Sequence, residues 1–328
     1  MAHQPTQADV ARAAGVSRGA VSMALSGSAG VSEDTRRRII EAAERIGYVR
    51  NIGAAALAGS FASSLGVVLP DLRNPYYEGL VASIQARSSE ADLLPLIVTA
   101  LEDPALEATI LRRLHEQRVA GIILVSPVEP SDQLVEFARR LPLTVVGTEP
   151  IGGTVDVVHM DEDRAARLVA DHIRTRGWTR ALHLSGTSTA GDTWVERRRL
   201  ALAEAFRGLP FTQVRVPSGG AITPILAAHD VEDRDRPLAI ITHNDLLAID
   251  VVPAVHAMGL TPGRDVAILS YDDTHMANRP EWSLTSVHQD TDDLARTAVE
   301  NILTRQESPS SLGTESIITP TLTVRSTS

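Results

Sequence analysis

The chain of 328 residues contains no cysteine, which excludes disulfides, thiolate nucleophiles and Cys-ligated metals. It contains no lysine, so all 31 of its basic residues are arginine. No apolar run approaches the ~18 residues of a membrane span. The first residues, MAHQPTQADVARAAG, lack the charged-then-apolar pattern of a secretory leader, so a cytoplasmic location is expected. A glycine-rich phosphate loop is missing after the first apolar strand, where Pro70-Asp71-Leu72 stands instead. The close His–carboxylate pairs, His159-x-Asp161 and His243-Asn244-Asp245, have neither a third ligand at metal spacing nor a neighbouring nucleophile. These absences argue against an enzyme, and no cofactor or metal is expected.

What remains has the composition of a globular protein, 43% hydrophobic and 22% charged, and its length suggests two or three domains. The formal charge of −10 speaks against nucleic acid as a partner, but it is unevenly spread. Residues 1–60 hold seven Arg against five Asp and Glu, while the remainder holds 24 basic and 36 acidic residues. A mildly basic head on an acidic body calls for two separate readings.

In the head, Thr6-Gln7-Ala8-Asp9 reads as a capping box that opens a short helix, broken at Gly15. Ser17 is a new N-cap for a helix from Arg18 to about Leu25, with Val21 and Leu25 at i, i+4 spacing. Ser32 opens a third helix with Ile39, Ala43 and Ile46 inward, and Gly47 is its expected C-cap. Two short helices around a glycine turn, braced by a third, make a helix-turn-helix. On pattern alone a small helical bundle without a DNA role fits equally well.

The register of Asp9-Val10-Ala11, Ala14-Gly15-Val16-Ser17, Val21-Ser22, Leu25, Val31-Ser32, Thr35-Arg36, Ile46-Gly47-Tyr48, Asn51, Ala54 and Leu57 resembles the lac repressor family of bacterial transcription factors. The resemblance implies a second helix lying in the major groove of operator DNA, with Arg18, Gly19 and Ala20 against base edges. Arg18 alone among them can pair bidentately with guanine. Thr6, Ser17, Ser22, Ser32 and Tyr48 are then placed for phosphates, Ser17 and Ser32 doubling as N-caps. Residues 50–60 correspond to a hinge helix that folds on DNA, with Leu57 wedged into the minor groove between Ala54 and Ala58. A flexible linker with a chance leucine is the other reading, since Gly53 weakens any helix there. Met23 and Arg50 stand where the family often has Arg and usually has Pro, so an operator sequence does not carry over from relatives.

From Leu65 onward, short apolar runs alternate with amphipathic helices. Strands are expected at Leu65–Leu69, Leu94–Val98, Gly121–Val125, Leu143–Val146, Val155–Val158, Ala181–Leu184, Thr212–Val216, Leu238–Thr242 and Val266–Ser270. Helices are expected near 76–90, 104–117, 131–140, 162–176, 192–207, 221–229, 245–258 and 290–305. Non-alternating apolar strands between helices mean parallel sheets covered on both faces, and nine strands are better divided between two lobes than placed in one sheet. Leu65-Gly66-Val67-Val68 with Asp71 and Asn74-Pro75, then Asn244-Asp245-Leu246, Tyr271-Asp272-Asp273 and Val324-Arg325-Ser326, extend the resemblance to the two-lobed periplasmic-binding-protein-like sensor.

The expected organisation is therefore an all-α helix-turn-helix domain over 1–49, a hinge over 50–60 and an α/β effector-binding and dimerisation domain over 61–328. Lobe one is expected at 61–160 and 288–316, lobe two at 161–287 and 317–328. A small-molecule effector, a sugar or sugar derivative, is expected between the lobes at the carboxyl ends of the strands. By resemblance Asn74, Tyr76, Asp161, Arg198, Asn244 and Asp272 are its contacts. Arg198 can alternatively bridge to Asp272, and Asp245 reads as a helix N-cap. Trp194 and Trp282 are placed to stack on a sugar, although packing suits each better. The function implied is a ligand-controlled repressor, binding a near-palindromic operator as a homodimer. A transport receptor shares the sensor fold but would not carry the head. The chain has no C-terminal leucine heptads of the kind that make some relatives tetramers.

Overall fold

The computed structural model describes residues 5–25, 30–49, 63–128, 131–186, 193–217 and 219–328. The chain forms two compact units, Met1–Ala62 and Ser63–Ser328. In the first, α1 Gln7–Ala14, α2 Arg18–Leu25 and α3 Glu33–Arg45 start where side-chain oxygens meet orphan amides. Thr6 and Asp9 form the reciprocal capping box, Ser17 Oγ accepts from the Ala20 amide at 3.1 Å, and Ser32 Oγ accepts from Thr35 at 3.3 Å. At the end of α3 the C-cap is Ile46 rather than Gly47; Gly47 follows at φ +69°, and the Tyr48 amide turns back to the Ala43 carbonyl. Val10, Ala11, Val21, Ala24, Ile39 and Ala43 make the core. Two α3 arginines tie the other helices to it: Arg36 donates to the Ala24 carbonyl at 2.8 Å and Arg38 to the Ala14 carbonyl at 3.3 Å.

The second unit begins with β1 Ser64–Leu69, α4 Pro75–Glu90, β2 Leu94–Thr99, α5 Pro104–Glu116, β3 Ile122–Val125, α6 Ser131–Ala138, β4 Leu143–Val146 and β5 Asp156–Met160. It continues with α7 Glu162–Thr175, β6 Arg180–Gly186, α8 Thr193–Ala205, β7 Phe211–Val216, α9 Ile222–Ala228, β8 Leu238–Thr242, α10 Asp245–Ala257 and β9 Ala267–Asp272. Then follow β10 Thr285–His288, α11 Thr291–Glu307, β11 Glu315–Ile318 and β12 Thr321–Thr323. Two six-stranded sheets result, ordered β11-β5-β4-β3-β1-β2 and β12-β10-β9-β8-β6-β7. All pairings are parallel except β10 with β12. Strands such as β3, β4 and β8 are apolar and buried along their whole length, which is what helices on both faces of a parallel sheet demand. Packing is close enough that a Cβ on Gly121 would lie 2.7 Å from Ile302 of α11.

The three strands beyond the expected nine, β10, β11 and β12, arise where the chain changes sheet. It leaves the first sheet after β5, returns between β10 and α11, and leaves again between β11 and β12. The crossovers differ slightly from the expected lobe boundaries: β10 keeps His288 in the second sheet, and β11 keeps Ile317 and Ile318 in the first. Among the described residues no helix is long and apolar enough to cross a membrane.

A buried ion pair fastens the return of α11 and β11 to the first sheet. Arg305 donates to both carboxylate oxygens of Asp156, at 2.6 and 3.0 Å, and Thr314 adds its amide and hydroxyl at 2.9 Å. Removing one partner leaves a buried charge unmatched. Asp156→Ala is therefore expected to lower the unfolding free energy by about 3–5 kcal/mol in urea titration, and a loss under about 1 kcal/mol would mean that Arg305 finds water or another acceptor.

Candidate functional site

On α2, Arg18, Gly19, Ser22 and Met23 face solvent, Ala20 is half-buried, and Val21 and Ala24 point into the core. The face that would meet base edges is thus presented by the face that packs. Thr6, Ser17 and Ser32 are exposed, but each hydroxyl already serves its helix start. Hydrogen bonds from Thr6 hold the Asp9 carboxyl down at about 2, with Arg12 adding to the effect. Tyr48 is half-buried against the small core. Asn51, Ala54, Leu57 and Ala58 lie outside the described residues.

In the second unit, the carboxyl ends of β1, β3, β4, β5, β8 and β9, together with α8, surround a cavity of about 90 Å³ between the two sheets. Asn74, Tyr76, Arg198, Asn244 and Asp272 line it. Tyr77, Ser126, His159, Trp194, His243 and Gln289 add to its polar and aromatic wall. Asn74, Tyr77, His243 and Asn244 also line a wider vestibule of about 480 Å³.

Asp272 joins the lobes. Asn74, the N-cap of α4 in the first lobe, uses its Oδ1 on the Tyr76 amide and donates Nδ2 to Asp272 Oδ2 at 3.0 Å. Gln289, at the second crossover, donates to Asp272 Oδ1 at 2.7 Å. Asp272 ends β9 at φ +99°, a conformation rarely adopted by an L residue. Burial, reinforced by the nearby Asp245 carboxyl, pushes its pKa up to about 7, against the opposing pull of Arg198 and the two amides.

Arg198 does not bridge to Asp272. Its Nε and Nη2 both reach Glu162, the latter at 2.7 Å; its Nη1 donates to the His243 carbonyl, and its guanidinium lies 4.0 Å from the Tyr271 ring centroid. Burial opposes the charge, but Glu162 outweighs it and holds Arg198 above its ordinary pKa. Asp161, one residue earlier, is turned away from this cavity. It caps α7 by accepting from Arg164 at 2.8 Å and lines a neighbouring cavity with Glu149 and Arg197. His159 and Trp194, edge to face at 5.9 Å, border both cavities. Trp282 packs beside the core of the second lobe instead.

At the start of α10 the expected cap is displaced by one residue. Asn244 caps, accepting from the Leu247 amide at 3.0 Å, whereas Asp245 is buried and accepts from Ser270, Thr274 and Ser286. No group of three or more metal-ligating side chains occurs among the described residues.

Residues 6–51 match the model for bacterial regulatory proteins of the lacI family, and residues 170–328 match a periplasmic binding protein-like domain. The HTH-type transcriptional regulator DegA of Bacillus subtilis is 30% identical over 294 residues, spanning 86% of this chain and 85% of the relative. The chain belongs to the lacI family of bacterial regulatory proteins. This family member is also 25% identical over 329 residues to the ribose operon repressor of Escherichia coli, with 98% of each covered. The lac repressor dimer bound to operator and the anti-inducer ONPF shares its fold, with a TM-score of 0.83, 22% identity and 99% of each chain covered. The regulator CelR in complex with cellobiose does so with a TM-score of 0.70 at 22% identity over 99% of this chain. The chain is thus a DNA-binding transcriptional regulator with a sensor domain.

The raised Asp272 pKa has a definite sign in stability. Unfolded, the carboxyl titrates near ~4; folded, it binds its proton up to about 7. Between these values the folded state holds more protons, so stability falls as pH rises from about 4 to about 7. Asp272→Asn, which cannot titrate, is expected to flatten that part of the melting-temperature profile of the ligand-free protein. An unchanged slope would show that another group carries it.

Proposed function

We propose that this regulator represses transcription in the cytoplasm by binding a near-palindromic operator as a homodimer, and that a small polyhydroxylated effector, a sugar or sugar derivative, binds between its lobes and alters that grip. The observation that carries the reading is Asp272. It is a buried carboxylate in a cavity, held by an amide from the first lobe and another from a crossover. An effector hydroxyl that replaces either amide acts on both lobes together, which is the differential contact a two-state switch requires. A coupling of ~1–3 kcal/mol shifts operator affinity about 5–150-fold.

The dimer is supported by the open edge of the first sheet. Leu94 and Ile97 of β2, with Leu72 and Leu101 in the adjoining loops, are exposed at 41% or more. An unpaired apolar edge is a ready surface for a second copy, and a two-fold dimer presents two recognition helices to two half-sites.

Arg18→Ala is expected to relax discrimination at one base pair per half-site, by about 1–3 kcal/mol, measured as competition between single-base operator variants. Uniform weakening on all DNA would place Arg18 on phosphate alone. Asp272→Ala is expected to retain operator binding while losing release or recruitment by whichever metabolite a thermal-shift screen identifies. A response equal to that of the unaltered protein would remove the cavity from the switch. Sedimentation equilibrium should show a dimer, and a tetramer would contradict the edge-to-edge reading.

A further inference from the structure

The arginine run Arg197-Arg198-Arg199 on α8 leaves no free positive charge. Arg197 pairs with Asp163 at 2.6 Å, Arg198 with Glu162 at 2.7 Å and Arg199 with Glu196 at 2.6 Å. Only Arg198 of the three lines the inner cavity, and its pair is almost wholly enclosed, with side-chain exposures of 2% and 1%. No other arginine lines the cavity among the described residues, and residues 187–192, Thr-Ser-Thr-Ala-Gly-Asp, bring no cation by sequence.

The remaining titratable groups do not replace that charge. His243 is held neutral by burial and by the adjacent Arg198. His159 faces Glu315 at 2.9 Å. Asp272 adds a carboxyl. Asp71, Glu102 and Asp250 line the vestibule, where Arg73 is engaged by Asp71 at 3.0 Å. Among the described residues an anion entering this path meets carboxylates and no unpaired cation, and burying it without a counter-charge is strongly unfavourable. A hydroxyl is different. Three of the five guanidinium N–H bonds are committed to Glu162 and the His243 carbonyl, which leaves two to donate to a neutral oxygen.

We propose that Glu162 sets the charge selectivity of the inter-lobe cavity: by neutralising Arg198 it makes the site one for uncharged polyhydroxylated ligands and closes it to phosphorylated or carboxylated ones. The proposal rests on the reading of this cavity as the effector site, but its test measures the charge of the cavity alone. Failure of the Asp272→Ala experiment would therefore leave the result below interpretable.

The full-length protein is titrated with sodium sulfate against sodium chloride at matched ionic strength, following the melting temperature. Sulfate also stabilises proteins generally by exclusion from their surface; that effect is non-saturating and common to all variants. The unaltered protein is expected to show no saturable sulfate component. Glu162→Gln, which unmasks Arg198 with little change of shape, is expected to gain a saturable rise of roughly 2–4 °C. Glu162→Gln combined with Arg198→Leu is expected to lose it again. A saturable sulfate response in the unaltered protein that disappears with Arg198→Leu would overturn the proposal, as would folded Glu162→Gln without one. A second measurement needs no variant. In a thermal-shift panel pairing each of several hexoses and pentoses with its phosphate ester, no ester should stabilise the unaltered protein more than its parent sugar, and one that does so overturns the proposal.

Discussion

Everything in the sensor turns on one buried carboxylate between two sheets. Asp272 is fixed at the end of β9 in a left-handed backbone conformation, and the amides of Asn74 and Gln289 reach it from the first lobe and from the second crossover. A charge in such a place is costly unless hydrogen-bonded, and its raised pKa records how incompletely two neutral amides compensate it. An effector able to complete that shell has an energetic reason to bind there. Because the existing partners belong to different parts of the unit, an effector bound as proposed would act on the relation between lobes as well as on the pocket.

The other buried carboxylates of the unit are better matched than this one. Asp156, at the far end of β5, is matched by Arg305, Glu162 by Arg198, and Asp245 by three hydroxyls and the Thr274 amide. Each of these fastens one stretch of chain to another: α11 to β5, α8 to α7, and the loop after β9 to α10. They form a rigid frame in which the less satisfied group is the one facing the cavity. Rigid surroundings turn small shifts into discrete states, because packed lobes do not deform continuously.

Much of the architecture is legible in the sequence because it is local. The caps at Thr6, Ser17 and Ser32 depend on residues within three positions, and the long apolar strands announce their own burial. The strands β10 to β12 are hidden. Their short, polar sequences, such as Thr285–His288 and Thr321–Thr323, pair only because the chain has crossed between lobes. The cavity shows the same division. Asn74, Tyr76, Arg198, Asn244 and Asp272 meet there, most of them at strand ends and helix starts that the sequence already marks, while Asp161, expected in the cavity, caps α7 and Glu162, for which the sequence suggests no role, pairs with Arg198. One residue caps the helix and its neighbour, a quarter-turn on, is turned inward to Arg198. A carboxylate in a first helical turn reads as a response to the helix dipole, and only tertiary packing shows which way it faces. Gln289 carries no motif of its own, and the contacts that His243 and Tyr271 make with Arg198 become visible only when the second sheet and its helices are assembled.

The central claim is that DNA and effector address the same two-state equilibrium. Thermodynamic linkage makes this measurable without knowing the structural path. Effector affinity should be determined by calorimetry with the protein free and with it saturated by operator duplex, and operator affinity with and without saturating effector. The account predicts that both affinities change by one common factor, of about 5–150. Effector bound equally well by free and operator-loaded protein would contradict it.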